Sequence, residues 1–159
     1  ELKSNLISKS ETTVLLKKVS DNWGIEFPKM KNVKVHQILS DAQIITGKGL
    51  KILKINEDYV PFLSETETLK KFPSVMVDMG AVKFMCKGAN LMRPGIKKFT
   101  EFEKEKLVCI VEETHHKFLA VGKAMVSSSE LETMEKGEVI QNIHYISDKF
   151  WETGKTIYD

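Results

Sequence analysis

Hydrophobic and polar positions near the start of the chain repeat with a helical period. The pattern predicts a helical region from Leu2 to Trp23, with a capping box formed by Ser8 and Glu11 and an end at Gly24. In a capping box the serine and the acid each satisfy a backbone amide at the start of the helix. One helical face is expected to carry the apolar side chains Val14, Leu15, Val19 and Trp23.

From Val33 to Phe62 the pattern shortens to strand-like runs. The runs are rich in branched and aromatic residues, and they are VKVHQIL, AQIIT, LKILKI and YVPFL. Turn-forming residues separate them, at Ser40-Asp41, at 47–49 and at 56–58. The LKILKI run alternates apolar residues with lysine only imperfectly, which fits either a half-exposed strand or a lysine-decorated edge strand. This half is therefore predicted to be a small α+β unit.

The second half contains many short strands and few short helices. A polar stretch from Ser64 to Phe72 predicts a short helix and a boundary near Lys70, hence two domains at 1–70 and 71–159. Strands are predicted in PSVMVDMG, LVCIVEE, FLAVGKAMV and EVIQNIHYI. Helices are predicted in AVKFMCKG, where Ala81, Phe84 and Met85 have helical spacing, and in the run from Ser127 to Met134. This composition of elements indicates a small, partly closed β-barrel.

Composition narrows the class of protein without identifying a partner. The 159 residues are 42% hydrophobic and 29% charged, as in ordinary globular proteins, and the net charge of +2 does not by itself argue for nucleic acid. Cys86 and Cys109 form no CxxC pair, which favours a reducing compartment. No apolar run is long enough to cross a bilayer, and the N-terminus lacks an apolar core followed by a cleavage site. We therefore expect a cytoplasmic protein with no membrane partner.

An ordered series of short motifs crosses the second half. It consists of Val77, Asp78, Gly80 and Ala81, then Gly88, Ala89 and Leu91, then Pro94, Gly95 and Ile96. This series resembles the PUA domain, in which an apolar strand, V-D-x-G-A, a helix, G-A-x-L/I and P-G-I/V follow one another. The resemblance extends over about 80 residues, through AVGKAMVSS to NIHYISDKFW.

The order of the two halves resembles the malignant-T-cell-amplified-sequence family and its shorter archaeal relatives. That resemblance implies an α+β N-terminal pre-PUA domain followed by a mainly β PUA pseudo-barrel with short helices. It also implies a non-catalytic RNA-binding protein that engages structured RNA, either tRNA or ribosomal RNA, in translation initiation or ribosome recycling. Expected partners are the small ribosomal subunit or a translation factor, since eukaryotic members pair with density-regulated protein or are fused to an equivalent module in ligatin.

The resemblance places RNA at the first helix of the PUA domain and the glycine-containing loop after it. Five cations and no acidic residue lie between Gly80 and Phe99. Lys83 and Lys87 are four apart, hence neighbours on a helix, and glycines let a nucleic-acid backbone approach the main chain. The predicted RNA-binding residues are Lys83, Lys87, Gly88, Ala89, Arg93, Pro94, Gly95, Lys97 and Lys98. The alternative is an ordinary solvated face with turn-forming glycines, and Asp78 is expected to cap the helix rather than to catalyse.

If three to five of these cations neutralise phosphates, the logarithm of affinity should fall with the logarithm of salt concentration with a slope of roughly −2 to −4. Such a slope implies modest affinity unless a second surface adds contacts.

No sequence feature predicts catalysis, a cofactor or a metal. A nucleophile elbow, a phosphate loop and a dinucleotide fingerprint are all missing from the sequence. The histidines and cysteines have no ligand-like spacing, and His115-His116 fits an exposed turn. Side chains expected at the core or the seam of the barrel are His144, Tyr145 and Trp151. We therefore expect no enzyme.

Two other functions remain open from the sequence. The first is a protein-interaction module that docks on a translation factor through exposed Phe27, Tyr59 and Phe62 in the N-terminal half. The second is an RNA-targeting subunit for a separate RNA-modifying enzyme.

Overall fold

The N-terminal half is a five-stranded antiparallel sheet with one long helix packed against it. The computed structural model describes residues 2–158. The first elements in chain order are β1 (Lys3–Leu6), α1 (Lys9–Trp23), β2 (Lys34–Leu39), β3 (Ala42–Gly47), β4 (Leu50–Ile55) and β5 (Asp58–Pro61). The strands lie in the order β1-β2-β3-β4-β5, so that each pairs with its neighbour in sequence. The LKILKI run is therefore an interior strand, and its edge-strand alternative is wrong.

The predicted helix from Leu2 is wrong in its first turns. The capping box at Ser8 is confirmed, since its hydroxyl accepts from the amide of Glu11 at 3.1 Å and its own amide donates to the Glu11 carboxylate at 3.0 Å. A chain that is capped at Ser8 cannot be helical before it, and Lys3–Leu6 instead pairs with β2. The end at Gly24 is confirmed, with the left-handed φ of 69° that such a cap requires.

The predicted apolar face of α1 is confirmed at Val19, which is fully buried, and at Leu15 and Trp23, which pack half-buried against the core, but it is wrong at Val14, which is 57% exposed. Thr12 and Leu16 are buried as well. Thr12 can be buried because its hydroxyl donates to the carbonyl of Ser8 at 2.8 Å. The pattern of apolar residues does not predict that Thr12 is buried, because its hydrogen-bond acceptor is a backbone carbonyl one turn earlier.

The second half is a curled mixed sheet with short helices. Its elements are α2 (Thr66–Leu69), β6 (Ser74–Val77), a 3₁₀ turn (Met79–Ala81), α3 (Val82–Met85), β7 (Leu91–Met92), β8 (Ile96–Phe99), β9 (Leu107–Glu112), β10 (Phe118–Ala124), α4 (Ser128–Thr133), β11 (Glu138–Tyr145) and α5 (Lys149–Gly154). The strand order is β7-β11-β10-β9-β6-β8, and β6 and β9 are parallel. The predicted fold class is confirmed, although α5, which contains Trp151, was not predicted. The boundary near Lys70 stays a prediction.

Three apolar clusters form the core, and one of them joins the two sheets. The first cluster lies within the second sheet, and another lies between α1 and the first sheet. The joining cluster brings Phe62 and Leu69 together with Cys109, Val121 and Phe150. The two halves therefore share buried apolar surface.

A fully buried histidine marks this shared cluster. The amide of Leu63 donates to Nε2 of His144 at 3.2 Å, so Nδ1 carries the ring proton and donates to Asp148 at 2.8 Å. The same carboxylate accepts from the amides of Tyr145 and Trp151. The expected position of His144, at the point where the last strand closes the barrel, is confirmed.

Candidate nucleic-acid interface

Asp78 connects the end of β6 to the helix that follows. Its carboxylate accepts from the amide of Ala81 at 3.1 Å, which confirms the predicted cap. Its backbone amide donates to the carbonyl of Gly95 at 2.8 Å. A single residue thus fixes the start of the helical segment against the Pro94-Gly95 turn.

Gly88 ends this helical segment with a Schellman motif. The amide of Ala89 donates to the carbonyl of Phe84 at 3.1 Å, and the amide of Gly88 donates to that of Met85 at 3.1 Å. Gly88 has a φ of 88°, and a β-carbon on it would lie 2.8 Å from the ring of Tyr145. The space beside Gly88 is therefore filled by Tyr145. Gly88 thus provides the left-handed backbone conformation that ends the helix, and its contact with RNA stays a prediction.

A groove lies between α3 and the loops on either side of β7. We call it the glycine-loop groove. It has a volume of about 430 Å³ and is lined by Asp78, Gly80, Ala81, Phe84, Met85, Ala89, Asn90, Leu91, Met92, Pro94 and Gly95. Ala89, Pro94 and Gly95 are the predicted site residues that it brings together. No cation lines it.

Exposed apolar side chains border this groove, and the sequence did not indicate them as site residues. Phe84 is 53% exposed and Met92 46%, and the neighbouring Met79 is 45% exposed. The helical spacing of Phe84 indicated a core position, but the helix has fewer than two turns and buries only Met85. Exposed aromatic and thioether groups that lie together on a groove are typical of a binding surface.

Two asparagines hold the glycine-loop groove to β11. The side-chain amide of Asn142 donates to the carbonyls of Met85 and Ala89, at 3.2 and 3.1 Å. The backbone amide of Asn142 donates to Asn90, whose own side-chain amide donates to Glu138 at 2.6 Å. The loop after α3 is thereby fixed to an interior strand of the sheet. In the sequence, this network is indicated only by Asn142, a polar residue within the strand-like run EVIQNIHYI.

Four of the five predicted cations are exposed side chains on the segments that flank the groove. Lys83 lies on α3 with its ammonium group 5.2 Å from the centre of the Phe84 ring. Lys87 lies beyond α3, in the turn before Gly88, and not within the helix as predicted. Lys97 and Lys98 lie on β8, at the edge of the sheet. Within residues 2–158 none of these four lysines forms an ion pair, so their charges face solvent.

Arg93 has a structural partner that the sequence did not indicate. Its Nε donates to the carbonyl of Met134 at 3.0 Å, and its backbone amide donates to that of Gly137 at 2.8 Å. Both acceptors belong to the segment between α4 and β11. One edge of the guanidinium fork is therefore committed to the protein, and only its terminal nitrogens remain for phosphate.

The cysteine and histidine side chains considered for catalysis or metal binding do not come together among residues 2–158. Burial raises the pKa of the Cys109 thiol to about 12, and its Sγ faces the carbonyl of Leu69 at 3.7 Å. Across the described residues, no cluster of three His, Cys, Asp or Glu side chains could hold a metal ion. His115 and His116 lie exposed in the turn between β9 and β10.

The aromatic residues proposed for protein docking are not exposed. Phe62 is 1% exposed and stacks on Trp151 with ring centres 6.3 Å apart, while Tyr59 is buried beneath α1. Phe27 is half-buried against Trp23. The predicted docking surface is therefore wrong, because the shared core and the α1 packing cover these rings.

Comparison with protein families and curated proteins gives matches over most of the chain. A model of the PUA domain matches residues 73–146. The protein MJ1432 of Methanocaldococcus jannaschii is 34% identical over 94% of this chain and 95% of its own length. Malignant T-cell-amplified sequence 1 of Danio rerio is 31% identical over 82% of this chain and 77% of its own length. Translation machinery-associated protein 20 of Saccharomyces cerevisiae is 29% identical over 84% of this chain and 79% of its own length.

Solved structures show the same arrangement. A PUA domain protein of Aeropyrum pernix, crystallised with tartrate, has a TM-score of 0.83 and 26% identity, covering 98% of this chain and 92% of that one. A chain from an H/ACA ribonucleoprotein bound to a substrate RNA has a TM-score of 0.50 and 26% identity, covering 60% of this chain and 29% of that one. In residues 2–158 no helix is both long and apolar enough to span a membrane.

Proposed function

This chain belongs to the PUA-domain family that includes malignant T-cell-amplified sequence 1, and from that membership we propose that it is a non-catalytic RNA-binding protein. It binds structured RNA, either tRNA or ribosomal RNA, through the glycine-loop groove and the lysines around it. It acts in translation in the cytoplasm, together with the small ribosomal subunit or a translation factor.

The observation that carries the proposal is an exposed apolar groove whose flanking segments carry unpaired, exposed lysines. Phe84 and Met92 offer flat or polarisable surfaces on which a ribose or an unpaired base can pack. Lys83, Lys87 and Lys97 supply exposed positive charge for phosphates. A surface of this chemistry recognises the end or the shallow groove of an RNA stem by its shape rather than by a long base sequence.

The relatives support the same class of function. The yeast relative is named as associated with the translation machinery, and one structural neighbour is a chain of an H/ACA ribonucleoprotein bound to a substrate RNA. The network from Asn142 to Ala89 supports the site on physical grounds, because a fixed loop loses little conformational entropy on binding.

Replacing the four exposed lysines tests the surface. We expect the variant with alanine at Lys83, Lys87, Lys97 and Lys98 to fold normally and to lose binding to fluorescein-labelled tRNA in anisotropy titrations. Residual binding at low salt should show a salt slope smaller by about 3, since each lost phosphate contact removes roughly 0.7 to 0.9. Arg93 is kept, because its bond to Met134 would confound stability with binding.

A matched variant controls for total charge. Alanine at the exposed residues Lys18, Lys104, Lys106 and Lys117 removes the same charge from positions outside the glycine-loop groove. Its affinity and salt slope should remain close to those of the wild type. Equal losses in both variants would reject the groove as the RNA site.

A further inference from the structure

A second cationic surface lies on the N-terminal half. Two grooves share the segment Pro28–Lys31 there: one of about 740 Å³ between that segment and the β3–β4 turn, and one of about 400 Å³ between it and α1. We call their lysines the N-terminal basic surface. Its members are Lys9, Lys29, Lys31, Lys34 and Lys48. It lies outside residues 73–146, which match the PUA domain.

Among residues 2–158, the charged side chains that line the two grooves are all lysines, and no aspartate or glutamate is among them. The side chains of Lys9, Lys29, Lys31 and Lys48 are exposed, and none of these four forms an ion pair in the part of the chain that the structure describes. Elsewhere lysines such as Lys17 and Lys123 do pair with carboxylates. The like charges of these four lysines therefore repel one another, and a bound polyanion would relieve that repulsion.

The backbone that carries these lysines is held in place. Met30 lies between Lys29 and Lys31 and packs in the apolar cluster beneath α1. A β-carbon on Gly47 would lie 3.4 Å from the sulfur of Met30 and 3.4 Å from Val33, so the β3–β4 turn and the segment fit closely together. The lysines thus project from a packed scaffold, which keeps their spacing before binding.

We propose that the N-terminal basic surface is a second contact for the phosphate backbone of the RNA held at the glycine-loop groove. This inference rests on the proposed function and extends it to the first half of the chain. The four exposed lysines, Lys9, Lys29, Lys31 and Lys48, can provide as many phosphate contacts as the lysines around the glycine-loop groove. Two such contacts on one RNA raise the affinity far above that of either surface alone.

The chemistry favours RNA over an acidic protein segment. Specific protein interfaces have apolar cores with exposed anchoring side chains before binding. The exposed large apolar residues of the described chain are Leu6, Val14, Leu39, Met79, Phe84, Met92 and Tyr158, and none of them lines either groove. Phosphate needs no apolar anchor, and the open space beside Gly49 permits close approach of a backbone.

Removing three lysines tests this surface in the full-length protein. The variant with alanine at Lys29, Lys31 and Lys48 should bind fluorescein-labelled tRNA about 10- to 100-fold more weakly at 0.15 M salt, with a salt slope smaller by about 2 to 3. The variant with alanine at Lys104, Lys106 and Lys117 removes equal charge and should bind as the wild type does. Thermal unfolding by circular dichroism verifies that both variants are folded.

Hydroxyl-radical footprinting of the bound tRNA separates this inference from the proposed function. The Lys29, Lys31 and Lys48 variant should lose one protected stretch of backbone and keep the stretch protected by the glycine-loop groove. Wild-type affinity and an unchanged footprint in this variant would overturn the inference and leave the proposed function intact. Loss of binding to a fluorescent polyglutamate peptide with no change in tRNA binding would also overturn it, in favour of an acidic protein. Wild-type tRNA binding by the variant with alanine at Lys83, Lys87, Lys97 and Lys98 would instead reject the proposed function.

Discussion

Phe84 places an aromatic ring at the open side of the glycine-loop groove, with the Lys83 ammonium group 5.2 Å from its centre. Its neighbour Met85 is 2% exposed and supplies the apolar contact that holds the short helix to the sheet. Met85 therefore stabilises the fold, whereas the exposed ring of Phe84 is accessible to a ligand. Packing this exposed ring against a base would remove apolar surface from water and so stabilise the complex.

We expect Phe84→Ala to weaken tRNA binding by about 1–3 kcal/mol without changing the salt slope, because stacking does not release counterions. Stability should change little, since the ring is 53% exposed. Val14→Ala is the matched control, because Val14 is 57% exposed on α1 and lies outside the groove. Anisotropy titrations at several salt concentrations measure both quantities. A change in slope as large as that of the lysine variant would contradict a stacking role.

Residue-scale prediction from sequence succeeded where the partner is a few positions away. Ser8 with Glu11, Ser127 with Glu130, and Asp78 with Ala81 all form the bonds that their spacing indicates. It failed for Phe84, because α3 is too short to bury more than Met85, and for Arg93, whose partner lies in a distant segment. No local pattern contains the carbonyl of Met134 that accepts from Arg93.

At the scale of elements, the glycine-loop groove depends on a short helical segment that is capped by hydrogen bonds at both of its ends. The 3₁₀ turn and α3 together span seven residues, Met79–Met85, too few for an isolated helix to be stable in water. The Asp78 cap at one end and the Gly88 motif at the other satisfy backbone groups that a short helix leaves unpaired. The cap therefore governs the shape of the groove.

Two substitutions at Asp78 separate its cap from its charge. Asp78→Ala removes the cap and should lower the free energy of unfolding by about 0.5–2 kcal/mol. Asp78→Asn keeps a side-chain oxygen for the Ala81 amide and should stay near wild-type stability. Because it also removes a negative charge from the groove, it should bind tRNA at least as tightly as the wild type. Chemical denaturation and anisotropy provide the two measurements, and weaker RNA binding by Asp78→Asn would show that the carboxylate itself contributes to binding.

Elements were predictable where their own residues specify them. Strands β2 to β5 follow from branched residues and intervening turns. Strand β1 is exposed along its whole length and forms only by pairing with β2, so its residues carry no burial pattern. Helix α5 is capped by Asp148, whose carboxylate also accepts from His144 and Tyr145. A cap that is shared in this way is visible only in the folded structure.

At the scale of the molecule, the two sheets are fastened through side chains rather than through a common ladder. His144 accepts from Leu63, the ammonium group of Lys51 donates to the carbonyl of Gly154 at 3.1 Å, and Trp23 meets Phe72 with ring centres 5.3 Å apart. These contacts lie around the shared apolar cluster. Sequence order alone indicated two halves but not this shared interior, since its members are up to about 100 residues apart.

We expect His144→Ala to lower the stability of both halves together, by about 2–4 kcal/mol, because it leaves the Leu63 amide and the Asp148 carboxylate without their buried partner. The fluorescence of Trp23 and of Trp151 reports on the two halves separately when the other tryptophan is replaced by phenylalanine. Both denaturation midpoints should fall by the same amount. His115→Ala, at an exposed turn position, is the control. A shift confined to Trp151 would show that the halves unfold independently.

The shared interior also has a consequence for the order in which the protein is made. The first sheet is complete once Pro61 has been synthesised, yet the groups that cover Phe62 are His144, Trp151 and Gly154, more than 80 residues later. At typical elongation rates the nascent first sheet waits roughly 4–20 s with this apolar face open. During that interval it is a natural client for a chaperone bound near the exit of the ribosome.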